Sequence, residues 1–404
     1  MLVTKKKYTK EATALAAKIT KMTLDRHAKW LINRKYIIDQ SDVDNTLSRQ
    51  TEFCESVIVC EEERVSSNQR ILLKCETDRV EEKLRKLQDR QKLHQTVMEA
   101  VVQRCRSRME QLLTEMDAQR LFNRFPDYTH FLQIAYSSSL TFSKLETLIT
   151  LDNQLKNNLL ELVNNPAFCQ RTGKSVRNIV DPKMALSSLG IDNCQLLFPI
   201  LMAKPLLKWD DPITKQIAPK LWQHLILTAN VCRIRLMESQ VDHPEQGIVL
   251  GVVRALGYFA IVNNFTQIFD DALKEIMQEY RNKNLRENYY ACAEIAPSID
   301  ILPGAIITLE KQVTKNIVES IEWTDSNRHL EQALHDDLNS QDMSKRSEFG
   351  IALAQAQAYS VFDTMQRSNA FEEKHAQYWF ANVLMPLDSI KKIRLQHPGK
   401  LMLN

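Results

Sequence analysis

The side chains here with the chemistry to hold a metal or move a proton are a few histidines and their acidic neighbours. His224 sits in the run LWQHL, Leu221 to Leu225. A lone histidine cannot hold a catalytic divalent ion, so any co-ligands would have to come from elsewhere in the chain. A hydrogen-bonded histidine at a pocket rim is the expectation. His243, between Asp242 and Pro244, reads as an exposed turn residue. The segment LEQALHDDLN contains a literal His335-Asp336 pair, then Asp337, with His329 six residues upstream. Six residues do not bring two side chains to one helix face. No metal site is expected there, and no catalytic residue or cofactor is assigned anywhere.

Other reactive signatures are missing from the sequence. The eight cysteines, at 54, 60, 75, 105, 169, 194, 232 and 292, include no CxxC pair. Neither a zinc site nor a redox dithiol is indicated, and a reduced cytoplasm is the simplest home. There is no Gly-rich phosphate loop, no Gly-x-Ser-x-Gly elbow and no HExxH. Glycines between Gly247 and Gly257 read as sites of close helix packing. The 53 basic and 50 acidic residues nearly cancel, which argues against a nucleic-acid or membrane footprint.

The elements that must position these residues read as helices throughout. No proline precedes Pro126 and no glycine precedes Gly173, so the first segment lacks helix breakers. Residues 9–38 predict one or two amphipathic helices, with Thr9 as N-cap and Ala12, Leu15, Ala16, Ile19 and Met22 on the apolar face. That face is alanine-rich, which favours packing over lipid binding. Residues 46–120 predict a charged helical region with two seams. One is Leu73, Val80, Leu84 and Leu87; the other is Met98, Val102, Cys105, Met109, Leu112 and Met116. An eleven-residue gap separates them. A helical hairpin, packing on the next domain and a dimeric coiled coil all fit. Acidic residues interleave with Arg104, Arg106 and Arg108, so a solvated face is expected and not a nucleic-acid surface.

From about 121 onward prolines enter and apolar runs lengthen. Turn signals lie at Asn164-Asn165-Pro166, Asp181-Pro182, Asp210-Asp211-Pro212, Asp242-His243-Pro244 and Leu302-Pro303-Gly304. Residues 305–404 read as further helices, broken at Ser340–Lys345 and at Met385-Pro386. No secretory signal is visible. The longest apolar stretch, Ile248 to Val262, is interrupted by Arg254 and falls short of a membrane span.

Five motifs follow in fixed order: LDNQL (Leu151–Leu155), LVNNPAF (Leu162–Phe168), ALSSLG (Ala185–Gly190), LWQHL and GVVRALG (Gly251–Gly257). Together they resemble the HDOD domain, a relative of the HD phosphohydrolases found in bacterial signalling proteins. Asp152, Asn164, Trp222 and His224 match its motif positions, while Asn153 and Asn165 depart from it. Where a catalytic HD protein carries a His-Asp metal pair, this chain has Arg254-Ala255. A guanidinium repels a divalent cation. The resemblance implies an all-α, multi-helix HD-like domain whose metal site is lost. The expected division is 1–120 as a helical, partly coiled-coil-like region, 121–323 as the HDOD-like domain, and 324–404 as a C-terminal helical extension packing on the core.

The function that follows is a non-catalytic bacterial signalling protein acting through protein partners or a small ligand. A homodimer and a small nucleotide ligand stay open as partners. The alternative is a cryptic metal-dependent phosphohydrolase acting on nucleotides or cyclic dinucleotides. On the first reading, Arg254→Ala is expected to leave folding intact.

Overall fold

A computed structural model describes residues 2–4, 9–32, 74–137, 139–175 and 178–403. Lys5 to Lys7, residues 33–38, Leu73, Cys54 and Cys60 lie outside the described residues. Among those described, the backbone forms seventeen α-helices, short 3₁₀ turns and no strand. They are α1 (Lys10–Ile32), α2 (Lys74–Glu115), α3 (Ala118–Phe122), α4 (Tyr128–Ala135), α5 (Phe142–Leu151), α6 (Asn153–Val163), α7 (Pro166–Arg171), α8 (Pro182–Leu189) and α9 (Ile191–Ala203). After these come α10 (Thr214–Ser239), α11 (Gln246–Asn282), α12 (Arg286–Cys292), α13 (Leu302–Glu319), α14 (Arg328–Leu338), α15 (Glu348–Arg367), α16 (Ala376–Ala381) and α17 (Leu387–Leu395). The described residues fall into two compact units. Residues 2–4, 9–32, 110–264 and 302–403 make the first; residues 74–109 and 265–301 make the second.

The short helices of the first unit start where acidic or amide side chains cap them. Asp127 accepts the His130 amide at 2.8 Å, Asp152 the Gln154 amide at 2.9 Å, and Asn165 the Ala167 amide at 2.9 Å. Asp181 accepts the Lys183 amide at 3.0 Å. Each such cap is worth ~1 kcal/mol. Gly190 joins α8 to α9 with φ of 84°, a backbone state that a side chain disfavours. One turn signal fails. Leu302-Pro303-Gly304 is the first turn of α13, where a proline lacks no needed donor.

The core of the first unit is the packing of α10 against α15, with α14 on α15, α13 on α14, and α1 against α13 and α16. Small residues set the spacing. On α15, Ala352, Ala354, Ala356 and Ala358 are all buried. A Cβ placed at Gly251 of α11 would lie 2.4 Å from the Ala229 Cα of α10, so the two backbones are in direct contact there. Helix α11 is long and apolar enough to cross a membrane by composition, but most of its apolar window is buried within the protein.

Two sequence expectations shift in register. Helix α1 is capped by Thr9, whose hydroxyl accepts the Ala12 amide at 3.2 Å. Its buried face is Ala16, Ile19, Thr23, His27 and Trp30, whereas Leu15 and Met22 are exposed. In α2 there is no hairpin break, and the stutter lies within one continuous helix. Val97, Val101, Cys105, Met109 and Leu113 are fully buried, a run at four-residue spacing. Val80, Leu84 and Leu87 are exposed. Arg104 and Arg108, read as a solvated face, form ion pairs with Glu275 and Glu279 of α11 inside the second unit.

Candidate functional site

The first unit holds a cavity of about 600 Å³. Helix α1 forms one wall, and α10, α11, α13 and α15, with the segments 337–346 and 379–384, form the others. At its base lies Arg254 of α11, 4 % exposed. Its Nε donates to Asp337 Oδ2 at 2.7 Å, and its Nη1 donates to Glu310 Oε1. Gly257, one turn along α11, allows this approach: a Cβ there would lie 2.1 Å from the Thr314 hydroxyl of α13. Thr314 in turn donates to Glu310 at 2.8 Å. Asp337 accepts further from Gln357 Nε2 at 2.7 Å and from Arg346 Nη1 at 3.0 Å.

The network combines two guanidinium groups with two carboxylates, all nearly removed from water. Burial would lower the pKa of Arg254, but the charges of Glu310 and Asp337 outweigh it and raise the pKa above its ordinary value. Burial alone would raise the Asp337 pKa; Arg254 and Arg346 instead hold its carboxyl down at about 2. Both members are therefore charged across the physiological range, and each needs the other. The sequence-based expectation for Arg254→Ala changes accordingly. Removing one partner of a buried ion network leaves uncompensated charge, which costs folding free energy.

His224 of α10 is a buried wall residue and not a rim residue, at 3 % exposed. Its Nδ1 lies 2.9 Å from the Ser360 hydroxyl of α15. Its ring meets Tyr258 edge-on at 5.2 Å and His27 of α1 at 5.1 Å. Burial, with the Arg254 charge, lowers its pKa to about 3. His27 is lowered too, by burial and then by His224 and Lys220. Both imidazoles are neutral at physiological pH.

The remaining motif residues serve the scaffold. Asp152 caps α6 and pairs with Arg124 at 3.3 Å. Asn164 holds the loop before α8: its Nδ2 donates to the Ile179 carbonyl at 2.8 Å and its Oδ1 accepts the Ile179 amide at 2.7 Å. Trp222 stacks on Phe259 at 6.5 Å and meets Trp209 edge-on at 6.1 Å. Ala255 is buried. The structure thus brings His224 and Arg254 to one cavity and places Asp152, Asn164 and Trp222 elsewhere. His243 is exposed beside Glu245, and His329 bonds Gln246 at 2.7 Å.

Glu310, Asp337, Tyr258, Ser360 and His27 were not singled out as site residues from the sequence. Two of them carried a signal. Glu310 falls on the buried face of α13 with Ile306, Leu309 and Val313, an apolar setting that demands a partner for a carboxylate. Asp337 belongs to the His-Asp look-alike, where the second aspartate is the one that pairs with Arg254 and Arg346.

Residues 125–296 match the family model of the HDOD domain. This chain carries an HDOD domain. A helical segment precedes it, and the motifs from Asp152 to Gly257 fall inside the matched span. No curated protein and no solved structure matches the chain. Over that span the match supports a domain of a signalling-associated, HD-like family. The donors around Arg254, Glu310 and Asp337 from beyond the matched span, do not fit a divalent ion. Among the described residues, no group of three or more histidine, cysteine, aspartate or glutamate side chains converges on one point. The carboxylates that could have served as ligands, Glu310 and Asp337, are engaged by a guanidinium.

Proposed function

We propose that this HDOD protein works by binding and not by turnover. It is a non-catalytic regulatory protein of a bacterial signalling network, acting in the cytoplasm through a protein partner or a small ligand. Arg254 carries the reading. It stands at the motif position of the HD metal pair, and its charge is compensated by Glu310 and Asp337. A permanent internal cation fills the role that a metal would have and cannot exchange, activate water or leave. The exposed, heptad-spaced Val80, Leu84 and Leu87 support a homodimer as one mode of association.

Two measurements on the purified native protein test this reading. Elemental mass spectrometry is expected to find far less than one manganese, iron, magnesium or zinc ion per chain. Bis(p-nitrophenyl) phosphate and cyclic dinucleotides, offered with each metal, are expected to remain intact. Stoichiometric metal together with metal-dependent hydrolysis would establish the cryptic phosphohydrolase instead, and His224→Ala would then be the first variant to assay.

A further inference from the structure

Helix α1 walls the Arg254 cavity with Ala16, Thr20, Leu24 and His27. Apolar burial of Ile19, Trp30, Leu31 and Ile32 holds it there. Lys220 of α10 also donates to the Trp30 carbonyl at 2.6 Å, and Arg26 pairs with Glu372 at 3.4 Å. Against these contacts stand three polar atoms of α1. Thr20 Oγ1, His27 Nε2 and Trp30 Nε1 are buried without a hydrogen-bond partner. Each gives up water when α1 docks and gains no bond in return, and each recovers its bond when α1 leaves. Docking is therefore weaker than the apolar burial alone would make it.

His27 makes that weakness depend on pH. Its ring lies 5.1 Å from His224 of α10 and 5.8 Å from Trp30. The charges acting on it are those of His224 and Lys220, and no carboxylate is among them. Arg254 and Tyr258 of α11 stand behind His224. Helix α13 brings Glu310 and Lys311 to the same cavity, where Glu310 is engaged by Arg254 and Lys311 bonds the Ser340 hydroxyl. Helix α15 sets Ser360 on His224, and α16 contributes Trp379 to the wall. A proton on docked His27 would meet only cationic or cation-forming neighbours in a water-free contact. We infer that α1 is a releasable cover on the Arg254 cavity, undocked by protonation of His27, so that acid opens the cavity. The inference concerns access to the cavity and does not depend on whether the domain binds or turns over a ligand. Burial, then His224 and Lys220, hold docked His27 well below 6.5, whereas the released helix titrates at the ordinary value. Docking is thus complete above pH 6.5 and weakens by up to about tenfold per pH unit below it. Glu372, its carboxyl held below the ordinary 4.5, stays ionised through the first part of this window, so the Arg26 pair does not cause the change.

Amide hydrogen exchange of the full chain, read by mass spectrometry and corrected for the intrinsic rate, tests this. Helix α1 is expected to open on its own, with protection well below that of the buried helix α15. From pH 6.5 down to about 5 its opening should grow by up to tenfold per pH unit. His27→Phe should slow exchange in α1 at neutral pH and remove most of that pH dependence. Thr20→Val removes an unbonded hydroxyl and no charge, so it should slow exchange in α1 and leave the pH dependence as it was. If His27→Phe does not fold, His27→Gln, polar but not titratable, takes its place in the pH series. Equal protection of α1 and α15, which would mean that α1 opens only when the whole unit unfolds, overturns the proposal. So does a pH dependence that survives the loss of His27. Neither result touches the metal and turnover measurements, so the cover and the non-catalytic reading fail separately.

Discussion

Arg254 and Arg235 are both buried in the first unit, and they are buried differently. Arg254 on α11 faces two carboxylates from other helices, Glu310 and Asp337. Arg235 on α10 is fully buried and has one carboxylate, Glu238, a single turn away. Its other partners are neutral: Gln355 Oε1 at 2.8 Å and the Leu2 carbonyl at 3.1 Å. Their pKa values move in opposite directions. Burial lowers Arg235 more than Glu238 restores it, whereas the two carboxylates raise Arg254. Equal burial therefore conceals unequal charge balance. Arg235 ties chain segments together by hydrogen bonds, and Gln355 Nε2 reinforces it on the same Leu2 carbonyl at 2.9 Å. Arg254 balances the charges of Glu310 and Asp337.

The sharpest way to break this comparison is to remove each guanidinium. Arg254→Met leaves Glu310 and Asp337 with too little positive charge and should lower unfolding free energy by about 3–5 kcal/mol. Denaturant midpoints at neutral pH report it. Adding Glu310→Gln removes one stranded charge and leaves Asp337 with Arg346 and Gln357, so the double variant should regain roughly half of the loss. A loss under about 1 kcal/mol in Arg254→Met would mean that the network is not charge-balanced as described.

Arg235→Met should lose less, about 2 kcal/mol, the worth of hydrogen bonds from a charged donor. Glu238 is partly exposed and can turn to water once released. The missing bonds to Gln355 and to the Leu2 carbonyl account for the loss. Equal losses at the two positions would remove the distinction between an anchor and a charge-balancing residue.

The sequence made one of these arginines legible and hid the other. Arg254 stood out because a family motif brackets it with Gly251 and Gly257. Arg235 sits in the apolar run VCRIRLM, and nothing local distinguishes it from a snorkelling surface arginine. The all-helical fold was legible from breaker distribution, and the helix starts from Asp-Pro and Asn-Pro pairs that proved to be caps. Register along α1 and α2 was not, because a helical period fixes which residues share a face and not which face meets the core. The cavity was half legible. His224 and Arg254 are within thirty positions of each other, but Glu310, Asp337 and His27 reach it from helices far apart in the chain. Long-range packing of this kind leaves little local trace beyond a polar residue on an apolar face.

Acid titration separates the two arginines by a smaller and more graded effect. His224 is neutral in the native state, its pKa lowered from 6.5 to about 3 by burial and by Arg254. As pH falls through 6.5 the unfolded chain takes up a proton there and the native protein does not. Stability is therefore full above pH 6.5 and is lost as pH falls toward 3, by up to about 1.4 kcal/mol per pH unit from this residue. Lowered His27 acts in the same direction. Asp337 enters only at lower pH: its stabilisation is complete above its ordinary 3.8 and is lost toward about 2. Removing Arg254 takes away one of the two causes that depress His224, so in Arg254→Met its pKa should rise and the acid slope between pH 6 and 4 should flatten. Arg235 is not among the charges acting on His224, so Arg235→Met should shift the whole stability profile downward without changing its slope. Denaturant titrations across this range, with the histidine ring followed by NMR, read both quantities. A slope that flattens equally in the two variants would show that His224 senses the loss of packing and not the Arg254 charge.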